Sequence, residues 1–136
     1  MKKIVYKSLR PEDTFALGRE IGEKTQPGTV FTLIGDLGVG KTVFTQGMAA
    51  GLGITEPVNS PTFTILQIYE EGRCPFYHFD VYRIGDISEM DEIGYEDCFY
   101  GEGVCLIECI PSSRFAGQWL RASWYMCCLR FLKRTI

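Results

Sequence analysis

The octapeptide Gly35-Asp36-Leu37-Gly38-Val39-Gly40-Lys41-Thr42 satisfies G-x-x-x-x-G-K-[ST] at every constrained position. At ordinary residue frequencies a chain of this size matches that pattern by chance about once in 200 sequences. An apolar, β-branched run, Thr29–Ile34, precedes it, and a helix-forming stretch to about Leu52 follows. A phosphate-binding loop requires that strand–loop–helix context. Glycines at 35, 38 and 40 allow the backbone to curl so that successive N–H groups face phosphate oxygens. The following helix adds the positive end of its dipole. Lys41 supplies a point charge for the β- and γ-phosphates, and Thr42 a hydroxyl for Mg2+. All eight residues are therefore candidate nucleotide contacts.

Hydrolysis needs more than a phosphate cradle: a carboxylate usually holds the metal, typically at the end of a buried strand. Two acids have that setting. Asp80 lies in His78-Phe79-Asp80-Val81-Tyr82-Arg83, where alternation puts His78, Asp80 and Tyr82 on one face. Glu108 follows Val104-Cys105-Leu106-Ile107, an apolar strand ending in an acid, as at a Walker B site. One acid can bind metal and the other polarise the attacking water, and the residue types do not say which does which. Asp80 can equally pair with Arg83, and Glu108 can be a solvated strand end. Thr62, in Ser60-Pro61-Thr62-Phe63, is a candidate sensor of the γ-phosphate or Mg2+, or simply part of a turn. His78 is the chain's one histidine, which excludes a multi-histidine metal site. It is either part of this constellation or a packed strand residue.

These groups need elements to carry them. Ile4–Lys7 reads as a short strand, and Pro11-Glu12-Asp13 as a helix start, proline and early acids suiting a first turn. Leu17 and Ile21 give that helix an apolar face. Phe63–Tyr69 and Phe76–Tyr82 alternate and flank a Glu70-Glu71-Gly72 turn, so a hairpin is predicted. Ser88–Ile93 reads as a short helix, and Val104–Ile107 as a buried strand. Trp119–Leu132 fits helix or strand equally.

The 136 residues, 46% hydrophobic and 23% charged, make one ordinary globular domain. The net charge of −3 offers no general basic footprint for nucleic acid. That figure averages two unlike parts. Residues 1–108 hold nine basic and all 17 acidic residues, a charge of −8. Residues 109–136 hold Arg114, Arg121, Arg130, Lys133 and Arg134 with no acid, together with Trp119 and Trp124. The six cysteines form no C-x-x-C pair, so reduced thiols are expected rather than a four-thiolate site of Cys105, Cys109, Cys127 and Cys128. No apolar run approaches the roughly 20 residues of a membrane span, and the N-terminal apolar run is too short for a signal peptide. A cytoplasmic protein without membrane partners is expected.

The motifs at 35–42, 60–63, 78–83 and 106–108 together resemble the TsaE family over about residues 3–108. These are small P-loop ATPases of bacterial tRNA threonylcarbamoyladenosine biosynthesis. The resemblance implies an α/β fold with a central, mostly parallel sheet, weak Mg2+-dependent ATPase activity, and action with the partner proteins TsaD and TsaB, through which tRNA is met. It assigns nucleotide and Mg2+ to Lys41 and Thr42, metal and hydrolysis to Asp80 and Glu108, and a switch role to Thr62. A P-loop kinase for a small metabolite, or a nucleotide-gated binding module without turnover, are the rival readings from the residues. The C-terminus departs from the family. Cys109 stands where the family usually has tryptophan, and Ile110–Ile136 shows neither the acid-rich helix nor the strand pair expected. A reading-frame change near codon 109 gives such a break, with the last strands missing or replaced.

Overall fold

The structure, a computed structural model, describes residues 6–36, 39–61, 64–82, 84, 88–99, 101–109 and 126–130. Nine elements follow one another: α1 (Pro11–Lys24), β1 (Val30–Ile34), α2 (Lys41–Gly51), β2 (Leu66–Tyr69), β3 (Phe76–Asp80), α3 (Ser88–Glu92), α4 (Tyr95–Phe99), β4 (Val104–Cys109) and β5 (Met126–Arg130). They form an α/β fold around a five-stranded sheet of order β2-β3-β4-β1-β5. β3, β4, β1 and β5 are parallel to one another, and β2 pairs antiparallel with β3 as the predicted hairpin. The expected mostly parallel sheet is therefore present.

β1 and β4 are buried along their whole lengths. That is why their sequences, VFTLI and VCLIEC, are nearly continuous in apolar residues, as parallel interior strands require. α2 lays Phe44, Met48 and Leu52 across one face of the sheet against Phe31, Leu33 and Leu106. α3 and α4 cover the other face, where Met90 and Cys98 meet Val30, Ile34, Phe79 and Ile107. Phe99 packs edge-on against Phe79 at a centroid distance of 5.6 Å. None of the described helices is long and apolar enough to cross a membrane.

α1 opens on Pro11, as predicted, and seats Leu17 and Ile21 against the α2-side core. Its contact with α2 is backbone on backbone. A Cβ at Gly18 would overlap the Phe44 carbonyl, and one at Gly47 would overlap the Phe15 carbonyl. Alanine normally gains about 0.5–1 kcal/mol over glycine inside a helix. Overpacking costs about 1–3 kcal/mol, and here the obstacle is rigid backbone, so the clash wins. Gly47→Ala is accordingly expected to lower the urea midpoint by that difference divided by the slope, with the slope itself unchanged. An unchanged midpoint would show that α1 does not seat on α2 this way.

Some boundaries differ from the sequence reading. β2 begins at Leu66 rather than Phe63, because Ile65 adopts a left-handed conformation (φ 68°) that no ladder can include. β3 ends at Asp80 rather than Tyr82. α4 is an additional helix. Tyr6 and Lys7 are not in a strand, and the remainder of the expected strand at 4–7 lies outside the described residues. Within the divergent tail, Met126–Arg130 resolves the helix-or-strand alternative as a strand. It takes the sheet edge beside β1.

Candidate functional site

All the charged and hydroxyl groups singled out in the described residues converge at the C-terminal ends of β1, β3 and β4. Parallel sheets bind ligands there, where successive connections leave in opposite directions. From β1 the chain runs toward β3; from β4, beside β1, it runs to β5 on the far side.

β1 delivers the loop. The Gly35 N–H donates to the Cys109 carbonyl (3.2 Å), tying the start of the loop to the end of β4. Gly40 caps α2 at φ 104°, a left-handed conformation that favours glycine, and its carbonyl accepts from the Phe44 N–H. Lys41 opens α2. Its Nζ, in a residue only 8% exposed, donates to the Gly35 carbonyl (2.5 Å) and the Cys109 carbonyl (2.8 Å). An ammonium has three hydrogens, so this bridge leaves one for a phosphate oxygen. Leu37 and Gly38 lie outside the described residues.

β3 and β4 deliver the acids. The parallel register sets Asp80 opposite Glu108, and Glu108 opposite Leu33 of β1. Glu108 is only 4% exposed. Its Oε1 accepts from the Thr42 hydroxyl (3.3 Å) and its Oε2 lies 2.9 Å from His78 Nε2. The Ser60 hydroxyl lies 2.5 Å from Asp80 Oδ2 and 3.2 Å from Glu108 Oε2, bridging the two acids. Asp80 Oδ1 accepts from the Tyr82 N–H (3.0 Å). The predicted common face of His78 and Asp80 is therefore real, and it is the face that meets Glu108. Asp80 turns to Ser60 and its own turn. Arg83, the alternative partner for Asp80, lies outside the described residues, as does Thr62.

Ser60 is placed by the chain on either side of it. Glu71 accepts from the Thr55 hydroxyl and from the N–H groups of Thr55 and Glu56, which lowers its pKa, the Thr55 hydroxyl contributing most. Gln46 of α2 donates to the Val58 carbonyl (2.9 Å). Beyond Ser60, the Ile65 N–H donates to the Pro61 carbonyl, and the Ile65 carbonyl accepts from Asp80 N–H. A β-branched residue held left-handed costs on the order of 1–3 kcal/mol. The strained residue therefore sits between the 60–63 segment and the strand that carries Asp80.

Two acids on adjacent strands, about 5 Å apart by sheet spacing, repel one another. Among the described residues Lys41 spends its bonds on carbonyls, and the ring nitrogen that reaches the acids is His78 Nε2, at Glu108. A hard cation relieves that repulsion. Hydroxyl and carboxylate oxygens from Thr42, Asp80 and Glu108 are the donor chemistry that Mg2+ takes, alongside substrate phosphates and water. The residues present thus fit Mg2+. No group of three or more His, Cys, Asp and Glu suited to a metal occurs among the described residues. Cys74, Cys98, Cys105 and Cys109 are buried free thiols. Burial pushes the Cys98 and Cys105 thiols up, away from the reactive thiolate.

Sequence reasoning left three participants unassigned. Ser60 stood in a quoted motif without a role of its own. Cys109 contributes its carbonyl, which no side-chain pattern reveals. The residue types alone leave His78 open between site and packing. The parity of β3 was the available signal for His78, since it shares a face with Asp80.

Comparison with known proteins bears on this geometry. The family model "Threonylcarbamoyl adenosine biosynthesis protein TsaE" matches residues 8–124. The chain is 51% identical over 108 residues to the tRNA threonylcarbamoyladenosine biosynthesis protein TsaE of Bacillus subtilis, covering 79% of this chain and 67% of the relative. It is 46% identical to the TsaE of Treponema pallidum over 101 residues, 74% of each chain. Against the TsaE of Nostoc sp., at 47% identity, the match spans 71% of this chain and 57% of the relative's length. Among solved structures it is similar to Bacillus subtilis YdiB, with a TM-score of 0.71 and 36% identity, covering 95% of this chain and 77% of that one.

Proposed function

The chain belongs to the TsaE family of threonylcarbamoyl adenosine biosynthesis proteins, and on that footing we propose that it binds ATP with Mg2+ and hydrolyses it slowly in support of that tRNA modification. The observation that carries the reading is the buried Lys41 amine, bridging the ends of β1 and β4, beside the linked Thr42–Glu108–Ser60–Asp80 cluster.

In this reading the loop from Gly35 to Thr42 takes the phosphates on its N–H groups and Lys41 neutralises the terminal ones. Thr42 with one of Asp80 and Glu108 would hold the metal, which would neutralise charge developing on the phosphoryl oxygens. The acid not engaged with the metal orients the attacking water by accepting its hydrogen bond. The burial of Glu108, with donors on both its oxygens, supports an orienting role for one of this pair. Thr62 is the proposed sensor of the γ-phosphate. We place the activity in the cytoplasm, within a complex with TsaD and TsaB. The charge of −8 over residues 1–108 favours contact with tRNA through those partners rather than directly.

Phosphate release measured for the chain alone and with TsaD and TsaB tests this. Release that needs ATP and Mg2+ and rises with the partners is expected. Turnover that requires a small hydroxyl substrate would make the protein a kinase, and binding without release in every mixture would make it a nucleotide-gated module.

A further inference from the structure

His78 has no part in the chemistry proposed above. Its ring is fully buried and stacked on Phe76, with centroids 6.2 Å apart and planes at 15°. Nε2 meets Glu108 Oε2 at 2.9 Å, and Nδ1 has no partner among the described residues. A buried nitrogen without a partner costs stability that an apolar ring at this position would not. For packing alone, phenylalanine would serve the stack better.

The hydrogen bond acts on the terminal side-chain torsion of Glu108. The terminal torsion of a glutamate is broad and roughly two-fold, so an unsupported carboxylate samples many orientations. A carboxylate only accepts, so His78 Nε2 carries the hydrogen. Ser60 approaches that same oxygen, Oε2, while Oε1 faces Thr42 at 3.3 Å. Donors on one oxygen fix the plane of the group and thereby the direction of the other oxygen. We propose that His78 is a positioning residue: its Nε2–H locks Glu108 so that Oε1 faces Thr42 and the phosphate site. This rests on the reading that Glu108 serves hydrolysis.

The test compares H78F, H78Q and E108Q with the unaltered chain, using MgATP and the partner proteins. Phenylalanine keeps the stack and removes the donor, whereas a glutamine amide can place a donor close to the position of Nε2. H78F is expected to bind ATP nearly as well as the unaltered chain but to turn over about 10–100-fold more slowly, the usual loss when a supporting hydrogen bond is removed. H78Q is expected to recover most of that loss. H78F at full rate, or H78Q as slow as H78F, overturns the positioning role. A slow E108Q beside an unimpaired H78F overturns that role alone, whereas an unimpaired E108Q overturns the hydrolytic reading beneath it. A second measurement needs no His78 variant and no turnover. With one histidine in the chain, 15N-labelled histidine gives a single ring spectrum. The ring hydrogen is expected on Nε2, slow to exchange, with a signal that moves in E108Q. A hydrogen on Nδ1, or free exchange at Nε2, overturns the proposal even if H78F does not fold.

Discussion

Lys41→Ala is expected to weaken ATP binding by about two orders of magnitude and to lower the stability of the nucleotide-free chain as well. The first effect follows from charge. An ammonium bonded to phosphate makes a charge-assisted hydrogen bond of about 1.5–3 kcal/mol, and one near the top of that range accounts for that loss. The second follows from the position of the amine. Lys41 Nζ bonds the carbonyls of Gly35 and Cys109, one beyond β1 and one closing β4, so it joins two strand ends as well as facing the loop. Removing it takes a donor from both carbonyls, a cost of about 1–3 kcal/mol. A thermal melt with and without MgATP separates the two. A ligand at a hundred times its dissociation constant stabilises by about 2.7 kcal/mol, a rise in Tm of roughly 10 °C for a domain of this size. The variant should melt several degrees lower and show almost no such rise. An undiminished ATP-dependent shift would refute the assignment of the loop.

Glu108→Gln should do the reverse, leaving ATP affinity within a few-fold and cutting turnover by about 10²–10⁴, the range for removing a positioned general base. Glutamine retains the size of the side chain and one acceptor oxygen. It loses the second acceptor, and both carboxylate oxygens are in use here, one toward Thr42 and the other toward His78 and Ser60. Part of the loss therefore comes from misorientation rather than from missing charge. Steady-state phosphate release, paired with an ATP-binding isotherm, distinguishes an affinity effect from a turnover effect. Unaltered turnover would remove Glu108 from the mechanism and leave Asp80 as the acid to examine.

The local signals transferred well from sequence to structure. β1, the loop and α2 came from one contiguous stretch, where an apolar run, glycines and a helix former each specify their own backbone. The β2–β3 hairpin came from alternation around a short turn. Misplaced boundaries came from tertiary demands. β2 gives up its first residues because the chain must return from Ser60 to β3, and left-handed Ile65 makes that turn. Propensity alone would keep an isoleucine in the strand. α4 escaped notice because five residues carry too little periodicity, although Phe99 has a defined seat on Phe79. In the tail, composition could not separate helix from strand at 126–130. The open hydrogen-bonding edge of β1 decides it.

The sequence by itself determined the candidate phosphate loop, the candidate pair of acids, the fold class and the family resemblance. Each of these is written in residues close together or in an ordered set of short motifs. Only the tertiary structure decided how the acids are used. Parallel pairing of β3 with β4 sets Asp80 opposite Glu108, and the intervening α3 and α4 separate them by 28 positions in the chain. The same pairing brings His78 to one oxygen of Glu108 and α2 brings Thr42 to the other. Strand register is a long-range property, fixed by which faces can be buried together.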